Sequence, residues 1–499
     1  MFFYLNAHRT EFHVYHEILL KLRGDVHLQR TALLYQDRDV SKALISFKKI
    51  KGASFYPLWA FRPTHFMSTY AMPVVDDTDK DGIPEVYIGS NTQKIYALDG
   101  RDGHTLWKWS LPHGQVSGHS MFLEDIDGDG RNEVIFGSQI SLPIRVYVLK
   151  TKPLFSDEER ILWYRNVSGD FIEGGLNFAM DHGEKYILAM TRDAPYSRGS
   201  FNVIKADGKF LYPPIQGVDV CVGRPAIGRL EANSGRLSVV YGSHKYYGAA
   251  EGYKITARDF LTGEKLWQTA PLGDTGFQQQ QILDMDGDGK NEVSISVMTL
   301  DDQENYLRRE NYLLESKQGQ ILRPLPGWTF GMIHNEDLTY FRHPDKRLFF
   351  YYGSKGNQKI KTLNTGMSFG VRFVEDNQFH LVSIFSKSGK LYCEFYHYKT
   401  GALEKTYSMP FRMNLDLPMA NGFSAPQQDF QVNFKALADV DGDQYWDALV
   451  HVGDYIAAVH LPIRVHSRYS PFSRTPHRNI NNDGELYDFD FEDAVKKAD

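Results

Sequence analysis

The chain has 499 residues, of which 42% are hydrophobic, 24% charged and 14% aromatic, enough apolar material to bury a large core and exclude intrinsic disorder. Its 56 Lys and Arg against 62 Asp and Glu leave a net charge of −6 without a long basic run, which argues against a nucleic-acid partner. No apolar run approaches the roughly 20 residues that a membrane-crossing helix needs, so no transmembrane segment is expected.

In chain order, the opening Met1-Phe-Phe-Tyr-Leu-Asn has neither a basic leader nor a small-residue cleavage site, so no signal peptide is expected in the chain as it stands. Arg23-Gly24-Asp25 spells an integrin-recognition tripeptide, a match short enough to arise by chance. Strand-like stretches at 31–35 and 43–47 suggest that residues 1–69 contribute strands to a closing sheet.

From residue 70 a nine-residue pattern recurs. Its copies are Asp77-Thr-Asp79-Lys-Asp81-Gly82-Ile-Pro-Glu85, Asp125-Ile-Asp127-Gly-Asp129-Gly130-Arg-Asn-Glu133, Asp284-Met-Asp286-Gly-Asp288-Gly289-Lys-Asn-Glu292 and Asp439-Val-Asp441-Gly-Asp443-Gln444-Tyr-Trp-Asp447. The last is imperfect, with Gln444 where the others have Gly. A β-branched or aromatic run follows each copy, and Tyr87-Ile-Gly89-Ser and Ile135-Phe-Gly137-Ser are echoed at Val240-Tyr-Gly242-Ser and Tyr351-Tyr-Gly353-Ser. A second element, Ile95 through Asp99 and Gly103 to Trp107, returns as Ile255 through Asp259 and Gly263 to Trp267. Each version reads as strand, Gly-containing turn and strand, a β-hairpin.

The copies start at 77, 125, 284 and 439, separated by 48, 159 and 155 residues. Each long gap divides into three steps of the short one, which implies eight repeats, half of them without the loop. Four short strands at a period near ~50 residues predict an all-β fold, a β-propeller of four-stranded antiparallel blades over 70–465, with eight blades or, alternatively, seven. Residues 409–431 read as an inserted loop before the last blade, and 466–499 as a C-terminal tail of changed composition.

The loop chemistry is explicit. Calcium takes six to eight oxygen ligands, and alternate Asp residues in a tight turn converge carboxylates on one point while a ninth-position acid returns another from the next strand. Asp77, Asp79, Asp81 and Glu85, Asp125, Asp127, Asp129 and Glu133, Asp284, Asp286, Asp288 and Glu292, and Asp439, Asp441, Asp443 and Asp447 are therefore candidate Ca²⁺ ligands. They account for 16 of the 62 acidic residues, and four divalent ions would take the net charge from −6 to +2. The expected role is structural, as clips between blades.

On these two patterns the chain resembles the FG-GAP/VCBS repeats, with their D-x-D-x-D-G calcium loops, and quinoprotein-like propellers, with their D-x-x-T-G-x-x-L-W hairpin. The resemblance implies a propeller similar to the head of integrin α chains in its metal loops. It does not extend to a quinone site, because the adjacent cysteine pair usual in those enzymes is missing: Cys221 and Cys393 stand 172 positions apart. Trp107 and Trp267 are expected to pack between blades. Eight-bladed calcium-bearing propellers also resemble rhamnogalacturonan lyases, for which His113, His119, Arg224 and His244 are candidate catalytic residues in no recognisable motif. Gly114 to Ser120 is too weak a pattern for a phosphate loop. The expected function is non-enzymatic binding of a protein or glycan partner through one loop face, with a polysaccharide lyase acting on uronic-acid polymers as the alternative. Calcium loops of this kind suit an extracellular or periplasmic setting.

Overall fold

A computed structural model describes residues 44–46, 54–62 and 73–465, the last stretch interrupted at connections of which the longest are 245–250, 284–289, 353–360, 365–370 and 410–431. The adhesion tripeptide, the tail after 465 and the insertion beyond Met409 lie outside the described residues.

The described chain is almost entirely strand, with one helical turn at Asp157–Arg160. The strands form eight antiparallel sheets, six of four strands and two of five. In the first of them Val74–Asp76, Glu85–Gly89, Lys94–Asp99 and Thr105–Ser110 follow one another in space as in sequence. This meander is what short loops and tight hairpins dictate. The second strand, Glu85–Gly89, is buried along its whole length, because a sheet sandwiched between two others has no wet face. The outer strand alternates instead, with Trp107 and Trp109 inside and Lys108 and Ser110 exposed.

Among the described residues, apolar clusters join the first five sheets in turn. Tyr87 and Trp109 of the first sheet pack with Phe136 and Tyr147 of the second. Ile135 and Val148 pack with Ile187 and Ile204, Phe201 with Val239 and Tyr241, and Val240 with Val293 and Ile295. The final sheet then packs on the first, through Ala436, Leu449 and Ala458 against Val75, Val86 and Leu98. That final sheet is composite: Tyr56–Phe61 pairs with Tyr455–Arg464, in register Tyr56 to His460 and Phe61 to Ile456, and Leu44–Ser46 adds a further strand. Joining early and late strands in one sheet closes the ring where the last sheet meets the first. The architecture is an all-β propeller.

A recurrent lock holds neighbouring sheets in register. The indole Nε1 of Trp107 donates to Thr151 O at 2.9 Å, that of Trp163 to Ala206 O at 3.0 Å and that of Trp267 to Ser316 O at 2.6 Å, while Tyr212 Oη donates to Phe260 O at 3.0 Å. Each donor sits on or just before an outer strand, and each of the last three acceptors opens the hairpin turn of the next sheet. The Trp267 ring lies on Gly319, whose φ of +69° and lack of Cβ are both needed: a Cβ there would come within 2.6 Å of the ring. Trp107 and Trp267 thus pack between sheets, as the hairpin pattern suggested. Trp267→Phe leaves an aromatic ring but removes the indole N–H and part of the bicycle, so Ser316 O loses its donor and the ring some of its packing. A loss of about 1–3 kcal/mol or more is expected in chemical denaturation, and an unchanged midpoint would show that the lock adds no stability.

Candidate metal centres

The first, second and fourth copies of the nine-residue pattern each connect two paired antiparallel strands of one sheet. The flanking strands are Val74–Asp76 and Glu85–Gly89, Phe122–Glu124 and Glu133–Gln139, and Val432–Ala438 and Tyr445–Val452. The third is framed by Gln281–Leu283 and Glu292–Leu300. Its Asp284, Asp286 and Asp288 lie outside the described residues, while Glu292 is described and buried.

The three described loops share one hydrogen-bond scaffold. The carboxylate at position 1 accepts from the backbone N–H at position 6: Asp77 from Gly82 at 3.0 Å, Asp125 from Gly130 at 3.0 Å, Asp439 from Gln444 at 2.9 Å. Position 3 accepts from position 5, as Asp79 does from Asp81 and Asp127 from Asp129, both at 3.1 Å, and Asp441 from Asp443 at 3.2 Å. The ninth carboxylate turns back to the N–H at position 2, as Glu85 does to Thr78 and Glu133 to Ile126, both at 2.9 Å, and Asp447 to Val440 at 2.8 Å. Side chains that cap their own loop amides set the turn locally. Gln444 adopts the left-handed conformation of the glycines it replaces, φ +67° against +89° at Gly82 and +84° at Gly130, so the imperfect copy keeps its shape.

This scaffold gathers Asp77, Asp79 and Glu85, Asp125, Asp127 and Glu133, and Asp439, Asp441 and Asp447 into three groups, with the potential ligand atoms of each within 4.8 Å of one another. These clusters could hold a metal ion. Position 5 stands outside the groups, and Asp81, Asp129 and Asp443 each use a carboxylate oxygen to accept from position 7 at 2.7, 2.8 and 3.0 Å. Burial pushes the Glu85 carboxyl up to about 7 and that of Glu133 to about 8, with the neighbouring Asp charges adding to the effect. Burial likewise lifts Asp439 to about 6 and raises Asp447. Carboxylates so placed repel one another and gain from a cation.

Three features were not read from sequence. Asn132, at position 8 of the second copy, hydrogen-bonds Asp76 beside the first loop, and Asn291, at position 8 of the third, donates to Arg229 O at 2.6 Å. Each ties its loop to the preceding sheet, and the shared Asn at one position was the available signal. The hairpin turn of the first sheet collects Asp99, Asp102 and His104, but Arg101 already holds Asp99 through its Nε at 3.0 Å and a second nitrogen at 2.6 Å. Of the candidate lyase residues, His113, His119 and Arg224 lie outside the described residues, whereas His244 is described and buried. Cys221 also lies outside them, and Cys393 is a buried free thiol whose pKa burial pushes up.

No family model matches the chain, and no curated protein matches it. Among solved structures it is similar to the Dos1 propeller, at 12% identity over 81% of this chain and 95% of that one, with a TM-score of 0.47. It is also similar to BamB from Moraxella catarrhalis (10% identity, 82% and 100% covered, TM-score 0.44) and to a europium-containing methanol dehydrogenase (12%, 74% and 76%, 0.40). Likeness at these identities concerns fold alone. The assignment itself rests on sheet order and ring closure: the chain is an all-β propeller in which three described loops between paired strands gather carboxylates that could hold a metal ion.

Proposed function

We propose that this chain is a non-enzymatic, calcium-stabilised propeller of the FG-GAP/VCBS type that binds a protein or glycan partner through one loop face in an extracellular or periplasmic setting. The observation that carries the cation half is the identical scaffold in three loops, each converging three carboxylates. The all-oxygen first and second loops suit calcium, and the third copy has the same residues in sequence. Loops on adjacent sheets would then act as clips: a Cβ at Gly442 would lie 2.9 Å from Gly82 O, which places the fourth loop against the first. The partner half is supported by a groove of roughly 360 Å³ between the last and first sheets, where Phe61, Tyr96, Leu106 and Trp107 meet Arg62 and Lys108. Aromatic walls beside cations are the chemistry that glycans and acidic peptides use.

Chelation tests the first half. Extracellular calcium modules bind at ~10⁻⁴ to 10⁻³ M, so millimolar calcium contributes about 1 kcal/mol per site. EGTA should therefore lower Tm, and calcium should restore it; a melting curve indifferent to both removes the structural role. Glycan and protein arrays test the second half, with saturable retention as the expected result. Incubation with uronic-acid polysaccharides is expected to leave absorbance near ~235 nm flat; growth from unsaturated ends would replace binding with lyase chemistry.

A further inference from the structure

The fourth loop differs from the others in what faces it across the sheet. The residue paired with the ninth position is Asp99 opposite Glu85 and Glu315 opposite Glu292, but His460 opposite Asp447. His460 Nδ1 lies 3.4 Å from Asp447 Oδ1 and 3.8 Å from Asp443 Oδ2. Its ring is set by stacking on Tyr56, with centroids 4.8 Å apart, and by Tyr445 at 5.3 Å. The imidazole therefore meets the loop in a fixed orientation.

A second observation points to an ion here. Asp439 and Asp447 are 5% and 0% exposed, and Oδ1 of each has no hydrogen-bond partner among the described residues. Their other oxygens are occupied, by the N–H groups of Gln444 and Val440. A buried carboxylate oxygen that makes no hydrogen bond, with His460 Nδ1 3.4 Å from that of Asp447, is costly unless a cation meets it.

We infer that the fourth loop is a mixed nitrogen and oxygen site, formed by Asp439, Asp441, Asp447 and His460, that takes a divalent transition cation of the zinc class in preference to calcium. This rests on the reading of these loops as cation sites and changes the ion for one of them. Calcium is served by oxygen donors, whereas imidazole selects zinc and its neighbours. Zinc ligands at about 2.0–2.2 Å in tetrahedral array stand roughly 3.4 Å apart, the separation observed between His460 Nδ1 and Asp447 Oδ1. The ninth residue here is Asp, one methylene shorter than the Glu of the other copies.

The test is zinc titration of the full-length chain by calorimetry, with about 1 mM calcium present to keep the other loops filled. His460→Gln should weaken the tightest zinc event at least about ten-fold and leave the calcium-dependent rise in Tm unchanged. Asp441→Asn, in the loop and outside the aromatic stack, should give the same loss with the Tyr56–His460–Tyr445 packing left intact. Cobalt(II) loaded in place of zinc should lose visible absorption intensity in both variants. Zinc affinity equal to wild type in both, or displacement of the bound zinc by equimolar calcium, overturns the proposal. If calcium fails to stabilise wild type while the zinc losses persist, the calcium reading falls and this one stands.

Discussion

Gly100→Ala is expected to unseat the ring at its closure. A Cβ on Gly100 would lie 1.8 Å from Val440 O and 2.5 Å from Pro84 O, and real Cβ atoms do not approach backbone oxygens so closely. Neither oxygen can retreat cheaply. Pro84 O already accepts from Gly100 N at 3.0 Å, and Val440 is held by its N–H on Asp447. Trp59 of the closing strand donates its indole N–H to Gly100 O at 2.7 Å, so displacing the turn also strains the early strand that completes the last sheet. Overpacking costs about 1–3 kcal/mol where side chains can adjust, and against backbone about 3 kcal/mol or more is expected. Gly235→Ala is the control, since a Cβ there meets nothing within 4 Å, and a change of under ~0.5 kcal/mol is expected. Equal melting of the two variants would show that the seam is not where stability resides.

Asp219→Asn is expected to stabilise the protein above neutral pH. Asp219 is fully buried, and its Oδ1 accepts from Glu251 N at 2.5 Å while its own N–H reaches Glu251 Oε2 at 3.4 Å. Burial works against the Glu251 charge too, but Lys265 at 2.8 Å, with Arg258 at 3.6 Å, holds its carboxyl below the usual range. The cations thus serve Glu251, and Asp219 is pushed up to about 7, by burial first and by the Glu251 charge as well. The folded state keeps a proton on Asp219 from about pH 4, where the unfolded chain releases it, to about pH 7. Its contribution is full below the unfolded pKa and is lost as pH rises through the folded one. Three units at 1.36 kcal/mol each set an upper limit of about 4 kcal/mol. Asn keeps an acceptor for Glu251 N–H and carries no charge, so the variant should match wild type near pH 4, gain on it steadily up to about pH 7 and hold that lead near pH 8. A stability difference between the two that does not change between about pH 4 and 7 would rule the account out.

These two residues mark where sequence reading stops. Nothing local distinguishes Gly100 from any other turn glycine, since its constraint comes from Val440 on the opposite side of the ring seam. Asp219 and Glu251 are 32 positions apart, in no motif, and become neighbours only when the third and fourth sheets come together. His460 belongs to the same class: its meeting with Asp447 follows from a cross-strand register, Asp447 to His460, that a nine-residue window cannot contain.

What the amino-acid order determined by itself was everything set within one turn or one period. Alternate Asp residues must fold back on their own amides, so Asp77, Asp125 and Asp439 cap the N–H five residues on in the same way. Gly-containing hairpins must reverse the strand, and a repeat that cannot bury its own faces must stack on its neighbours. The tertiary structure alone decided which carboxylates converge, with positions 1, 3 and 9 together and position 5 apart. It also placed Tyr56–Phe61 in the last sheet and Trp267 on the glycine of the next hairpin. The division is physical: short-range hydrogen bonds and backbone sterics are local to the chain, whereas burial, register and close approach depend on residues that only packing brings together.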